Sequence, residues 1–396
     1  MMILVAGGGP AGTRLAIELA CAGLRVTLVD PLLDPQRNAY SSAAIPLDDA
    51  NKLQIPHACW STTWQGWQLF DPDAIEHQWW SSDDLGVVLD FGNLRQSLWQ
   101  QACSAGVELL SGWRVMLKRL HQQQADVVLL GPHGQQECRS VRWLIDATGS
   151  RRALLHQAGV PIDKEQDPLL CGYGVEWLIQ ASDRGSSRWR DRLSFFLGHQ
   201  WVRHGYGWVF PMAKDQLKVG VCRLPPHDSA GGSAGLQQDL IQLLLRCGLS
   251  DCPVLDRHGG VIASTVRRTE PLGAGALIAV GDAASTANLL GGEGIRHALS
   301  SAFLLAELLT GQADDDSQHL LNEYQLALKR HLGFRWAISG RLARRTWWGL
   351  DSDQADRRMQ RLISGLSRTA SAHDLCDLLF HYRFERYGLR LIPYLI

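Results

Sequence analysis

No Cys-x-x-Cys pair occurs in this 396-residue chain, and its His and Cys residues form no cluster at metal-ligand spacing. That argues against a bound metal. The nine cysteines, an odd number, are expected to be reduced thiols in a cytoplasmic protein. No stretch reaches the roughly 18 consecutive apolar residues that a membrane-spanning helix needs. The apolar opening, Met1 to Ala6, is too short for a signal peptide and reads as a buried strand. Net charge is missing too: 39 Lys and Arg face 40 Asp and Glu, which leaves no global electrostatic case for nucleic acid. Neither internal repeats nor long low-complexity segments are visible.

The charge that is present is unevenly spread. From Lys329 onward, 13 Lys and Arg outnumber 6 Asp and Glu. Arg341, Arg344, Arg345, Arg357, Arg358 and Arg361 lie in that tail, which either contacts a membrane surface peripherally or forms a solvated helical face. At 45% hydrophobic residues the chain is globular, and its length suffices for two or three domains.

The strongest positive signal is Gly7, Gly9 and Gly12, set between an apolar run and a helix-like stretch ending near Gly23. A second apolar run, Val26 to Val29, stops at Asp30, 18 residues after Gly12. This is the layout of a βαβ dinucleotide-binding unit. Gly7 permits the turn, Gly9 lets a pyrophosphate approach the backbone, and Gly12 lets helix and sheet pack closely. Pro10 and Ala11 open the helix whose positive end faces the phosphates, and Asp30 accepts from a ribose hydroxyl.

Further along, Pro46 and Pro56 sit in an irregular segment, followed by Trp60, Trp64, Trp67, Trp79 and Trp80. Those tryptophans line an apolar pocket or pack a sheet. Leu94 to Gly106 reads as a helix, and 107–110, 125–130 and 141–145 as strands. Asp146, Ala147, Thr148 and Gly149 form a small-residue turn. Strands are expected at 172–179, 193–197, 208–210 and 217–222, with a helix at about 236–247. The βα pattern returns at Ala276–Val280 with Gly281 and Asp282, and a helix opens at Gly291, Gly292, Glu293, Gly294 and Ile295. An acidic run at 314–316 marks a linker, and the tail to Ile396 reads as mostly helical.

With its glycine-rich points following strands or opening helices, the chain resembles a flavin-dependent group. That group includes aromatic hydroxylases, lycopene cyclases, flavin halogenases and geranylgeranyl reductases. The resemblance implies FAD, with the first glycines and Asp30 at its adenosine half. It also implies Asp282 at the ribityl chain and the helix opening at Gly292 to Ile295 aimed at the flavin. The group's usual arginine near the start of the helix after the Trp-rich segment is absent; Asp90 precedes Phe91, and the nearest arginine is Arg95.

Three segments resemble geranylgeranyl reductases within that group: Tyr206-Gly207-Trp208-Val209-Phe210-Pro211, Gly292-Glu293-Gly294-Ile295, and Ser41-Ser42-Ala43-Ala44-Ile45-Pro46. In the last, Ser41 stands where plant and cyanobacterial members have cysteine, and serine cannot do thiol chemistry. Alternation places Tyr206, Trp208 and Phe210 on one strand face, either a pocket for an apolar isoprenoid substrate or an ordinary core face.

The resemblance implies reduction of isoprenoid carbon–carbon double bonds, with Tyr206 or Glu293 as proton donor. An aromatic wall or a capping acid would explain each residue as well. No second Gly-x-Gly-x-x-Gly follows a strand, so NAD(P)H would bind transiently or ferredoxin would supply electrons. Alternatives are a lycopene cyclase-like flavoprotein or an NAD(P)H/FAD-dependent monooxygenase. A cyclase would want a carboxylate-rich segment, and Val219 to Arg223 has none. The expected architecture is α/β: a Rossmann-like FAD-binding domain (1–160 plus 266–312), an inserted strand-rich substrate domain (161–265, with a contribution from about 50–90) and a helical C-terminal region (313–396).

Overall fold

Residues buried on both faces of a parallel sheet read as unbroken apolar runs rather than alternating ones, and Ile3, Leu4 and Val5 are such a run. In the computed structural model, which describes residues 2–37, 41–162, 165, 167–226, 235–311 and 316–391, they form the strand Met2–Ala6 (β1). Helix Pro10–Cys21 (α1) and strand Arg25–Asp30 (β2) follow. β1 pairs in parallel with β2 on one side and with Trp143–Asp146 on the other. The sheet continues outward to Glu108–Ser111 beyond β2, and through Leu277–Ala279 to Gly273–Ala274 at the other edge.

The register decides where the loops converge. Ala6 lies opposite Asp146, and Asp146 opposite Ala279. The carboxyl ends of three parallel strands therefore coincide, and the turns at Gly7, Ala147 and Gly281 share one edge, where open α/β sheets bind ligands. Helices Phe91–Ser104 and Ile295–Gly311 pack beside α1. An antiparallel meander, Arg114–Leu120, Ala125–Leu130 and Gln136–Val141, joins the same core through Ala125, Val127, Leu129 and Val141.

A second, seven-stranded sheet runs in the order Val254–Ser264, Leu170–Gln180, Gln216–Arg223, Gly205–Pro211, Arg192–Leu197, Gly66–Phe70, Glu76–Trp80. Its two faces serve different cores. Val209, Val219 and Val221 meet helix Leu236–Arg246, whereas Tyr206, Trp208 and Phe210 face the C-terminal helices. Those helices are Ser317–Trp348, which breaks at Gly333, then Asp353–Thr369 and Ala372–Leu379. Of the acidic run at 314–316 only Asp316 is a described residue; it caps the long helix by accepting from the Gln318 N–H at 2.9 Å. Residues 392–396 of the tail lie outside the described residues.

Several elements differ from expectation. The edge strand Val254–Ser264 was not anticipated, because Asp256, Arg257, His258, Gly259 and Gly260 break any alternation; a strand paired on one side only tolerates them. The helix expected from Leu94 begins three residues earlier, since Asp90 accepts from the Asn93 N–H at 3.0 Å as its cap. Trp64 and Trp67 are fully buried, meet edge to face at 4.8 Å and pack against Phe380. Sheet packing, not a pocket lining, accounts for those two tryptophans.

Candidate functional site

The site begins at the glycine turn after β1. Gly9 precedes α1 and Pro10, which has no N–H, takes its first position; the Ala11 and Gly12 amides that follow have no preceding helical turn to supply them with carbonyls. A Cβ at Gly12 would overlap the Gly7 carbonyl oxygen and come within 2.8 Å of the Ala147 Cβ. Only glycine lets the helix sit this close. Asp30, at the end of β2, accepts from the Gly8 N–H at 2.6 Å and the Leu32 N–H at 2.8 Å. Burial raises its pKa; those two bonds and the charge of Arg95 pull the other way. Arg95 is buried and donates from Nε to the Pro35 carbonyl at 2.5 Å, and from Nη2 to that of Arg37. It thus ties down the chain just after Asp30.

Asp146 organises the second turn. One carboxylate oxygen accepts from the Thr148 N–H and hydroxyl at 3.0 and 2.6 Å, and the other from the Leu154 and Leu155 N–H groups, both at 2.9 Å. Ala147 meets the first glycine turn, where a Cβ on Gly7 would overlap its carbonyl oxygen, and Gly149 opens the short helical turn that follows at positive φ. At the third turn, a Cβ on Gly281 would stand 2.7 Å from the Ala11 Cβ. Asp282 follows, and its carboxyl accepts a long hydrogen bond from the Thr286 hydroxyl at 3.5 Å. Burial pushes its pKa up to about 6. A half-buried carboxyl so weakly served wants donors, and a dinucleotide carrying a polyhydroxyl chain would supply them. The glycine cradle and Asp282 both fit such a group.

The fourth segment joins this edge to the second sheet. A Cβ on Gly294 would lie 3.3 Å from Asp282 Oδ1, and one on Gly292 would lie 2.7 Å from the Tyr206 hydroxyl. The helix itself starts at Ile295, with the Ala298 N–H donating to the Gly294 carbonyl at 2.8 Å. Glu293 does not point to a free acid. Arg296 grips it with Nε and Nη2 at 2.8 and 2.7 Å, His297 approaches at 3.3 Å, and the Tyr382 hydroxyl donates to it. Burial alone would raise its pKa, but Arg296 and His297 more than offset it and hold it below the ordinary carboxyl range. Arg296 also reaches Asp49 at 3.0 Å and the Phe380 carbonyl.

Beyond Gly292 opens a cavity with about 1220 Å³ of empty volume, its open mouth included. Tyr206, Trp208 and Phe210 form one wall, as the alternation predicts; Ser41, Gly291–Ile295 and the C-terminal residues Trp347 and Phe380 close others. Tyr206 is buried beside Cys222. Burial, that thiol and Glu293 all raise the tyrosine pKa far above 10, so it keeps its proton. Cys222, pushed up to about 12 mainly by burial, stays a thiol.

Sequence reasoning did not single out Glu176, His258 and Lys218. The first two line this cavity, and the third, fully buried, donates to the Ser41 carbonyl at 2.5 Å. A signal existed: Glu176 and Lys218 are charged residues inside otherwise apolar strands. Among the described residues, no group of three or more His, Cys, Asp or Glu is placed to hold a metal ion, and no helix is long and apolar enough to cross a membrane.

No family model matches the chain. It is 27% identical over 361 residues to the menaquinone reductase of Mycolicibacterium smegmatis, spanning 86% of this chain and 83% of that protein. It is 25% identical over 317 residues to the digeranylgeranylglycerophospholipid reductase of Haloferax volcanii, spanning 77% and 74%. A geranylgeranyl bacteriochlorophyll reductase-like protein from Thermoplasma acidophilum superimposes with a TM-score of 0.83 at 18% identity, covering 99% of both chains. A flavin-dependent halogenase superimposes with a TM-score of 0.68 at 16% identity, over 99% of this chain and 76% of that one. By fold the chain is thus a Rossmann-type α/β protein of the kind found in geranylgeranyl reductase-like proteins and flavin-dependent halogenases, and in sequence it is similar to enzymes named as reductases of menaquinone and of digeranylgeranylglycerophospholipid.

Proposed function

We propose that the chain is an FAD-dependent oxidoreductase that reduces carbon–carbon double bonds of an isoprenoid substrate. The observation that carries this reading is the meeting of Gly292 with the Tyr206 hydroxyl, which abuts the glycine-lined edge on an aromatic cavity. Gly7, Gly9, Pro10, Ala11 and Gly12 would receive the pyrophosphate, and Asp30 with Arg95 beside it the adenosine ribose. Ala147, Gly149, Gly281 and Asp282 would line the middle of the cofactor. Gly292, Gly294 and Ile295 would present a helix N-terminus to its far end, with Ser41 across the cavity. When bound and reduced, FAD supplies a hydride to one alkene carbon.

The chain's own residues have three tasks. Trp208 and Phe210 hold the apolar substrate and exclude water. Tyr206, protonated and at the cavity wall, donates the proton that the second alkene carbon requires. Glu293, held as a carboxylate, anchors Arg296 rather than acting as the acid. Electrons would come from transient NAD(P)H or from ferredoxin. The six exposed arginines of the tail, from Arg341 to Arg361, would give peripheral contact with an anionic membrane. The two sheets support a division into a cofactor domain (1–160 plus 266–312), a substrate domain (161–265, with about 50–90) and a helical C-terminal region (313–396).

An anaerobic single turnover tests the reading. The protein is reduced with dithionite, mixed with a geranylgeranylated substrate, and followed by flavin absorbance and product mass. Flavin reoxidation with a gain of two hydrogens is the expected result. An isomerised polyene of unchanged mass would favour a cyclase, and a reaction that waits for oxygen a monooxygenase; either outcome rejects the reductase.

A further inference from the structure

Glu176 is a cavity-wall carboxyl that neither the cofactor edge nor proton donation employs. It lies in strand Leu170–Gln180 and is 5% exposed. Directly across the sheet from it comes Gly220, and across from Gly220 comes Trp208. A side chain at Gly220 would overlap the Trp208 ring, so the glycine is what lets the indole lie across the middle strand. Trp208 Nε1 thereby reaches Glu176 Oε2 and donates at 2.9 Å.

The other oxygen, Glu176 Oε1, is buried and has no hydrogen-bond partner among the described residues. Lys218 and Arg223 are engaged elsewhere, and His258 makes no hydrogen bond to this oxygen. Lys218 gives its Nζ to the carbonyls of Ser41 at 2.5 Å and Leu89 at 3.4 Å. Arg223 pairs with Asp239. His258, which faces Glu176 from the strand on its other side, has Nε2 3.6 Å from Asp256 Oδ2. A buried acceptor left unserved in an apolar cavity is expensive unless a ligand brings the donor.

We propose that Glu176 Oε1 accepts a hydrogen bond from a substrate hydroxyl, so that the substrate end lodged beside Trp208 is an uncharged alcohol or phenol rather than a phosphate. This rests on the isoprenoid-reductase reading above. A phosphate would bring more acceptors and negative charge against a carboxyl that lacks only a donor. The prenyl chain then runs from Trp208 past Tyr206, whose rings are 5.9 Å apart, towards Gly292.

Calorimetric titration of the FAD-loaded protein with geranylgeraniol, its methyl ether and geranylgeranyl diphosphate tests the assignment. The alcohol should bind about tenfold tighter than the ether, the value of one hydrogen bond to a charged acceptor, and the diphosphate no tighter than the ether. In Glu176→Gln the amide oxygen still accepts from Trp208, but an N–H now faces the ligand. The ether gains on the alcohol, and the preference falls to about threefold or less. Equal affinities in the unmodified protein, a preference that survives Glu176→Gln, or tightest binding of the diphosphate would each overturn the proposal while sparing the reductase. If none of the three binds, the isoprenoid reading falls and takes this one with it.

Discussion

Burial raises the pKa of both Tyr206 and Asp282, with different consequences. Burial, Cys222 and Glu293 hold the Tyr206 hydroxyl neutral, and it stands at the Gly292 turn where a developing charge would need it. Tyr206→Phe is therefore expected to slow single-turnover reduction by about a hundredfold or more, in the range of general acid catalysis, with FAD affinity unchanged. A rate within threefold of the unmodified protein would remove Tyr206 as the acid. Asp282 titrates at about 6 in the folded chain against an ordinary 3.8. The folded state therefore holds this proton more tightly than the unfolded chain. Its contribution is intact below about pH 4 and is lost as pH rises through 6. Asp282→Asn should stabilise the cofactor-free protein by on the order of 2–3 kcal/mol at pH 8 and hardly at all at pH 4. Urea unfolding at the two pH values checks this, and FAD affinity should fall in the same variant. Glu293 has the reverse sign: its depressed pKa adds stability above the ordinary carboxyl range that is lost on acidification.

At the scale of elements, strand pairing does what local sequence cannot. The pattern of Gly205–Pro211 alone assigns Tyr206, Trp208 and Phe210 to one face, and they do share it. It does not reveal that Glu176, 32 positions away, meets Trp208 across Gly220, because that depends on the register of three strands. Gly220→Val should push Trp208 off the sheet, break its bond to Glu176 and cost about 1–3 kcal/mol by overpacking. Prenyl-ligand affinity would weaken while FAD affinity holds. Loss of both together, or of neither, would contradict the placement. The missed edge strand Val254–Ser264 teaches the same lesson: its sequence has no period, and its partner supplies the order.

On the scale of the whole molecule, the C-terminal region closes the cavity from outside both sheets. Trp347 and Phe380 line it, Trp67 Nε1 donates to the Ala372 carbonyl at 3.0 Å, and Arg296 binds the Phe380 carbonyl. Phe380→Ala should cost about 3–5 kcal/mol, the price of a large buried aromatic, with differential scanning calorimetry as the measurement. Arg341, Arg344, Arg345, Arg357, Arg358 and Arg361 are exposed. Replacing Arg344 and Arg345 by Glu should lower co-sedimentation with anionic vesicles and leave FAD affinity unaltered. Unchanged sedimentation would leave those arginines as a solvated face.

What the sequence determined by itself is the set of local necessities: where a strand must hand over to a helix, where only glycine fits, and which residues alternate. Those are set by neighbours a few positions apart, so Gly7 to Gly12, Asp30, Gly281, Asp282 and the aromatic strand were all legible. Tertiary structure alone decided which of these meet. It set Gly292 against Tyr206, brought the Tyr382 hydroxyl to Glu293, left one Glu176 oxygen without a partner among the described residues and brought Phe380 over the cavity. Each depends on residues far apart in the chain, whose proximity follows from sheet register and helix packing rather than from any local pattern.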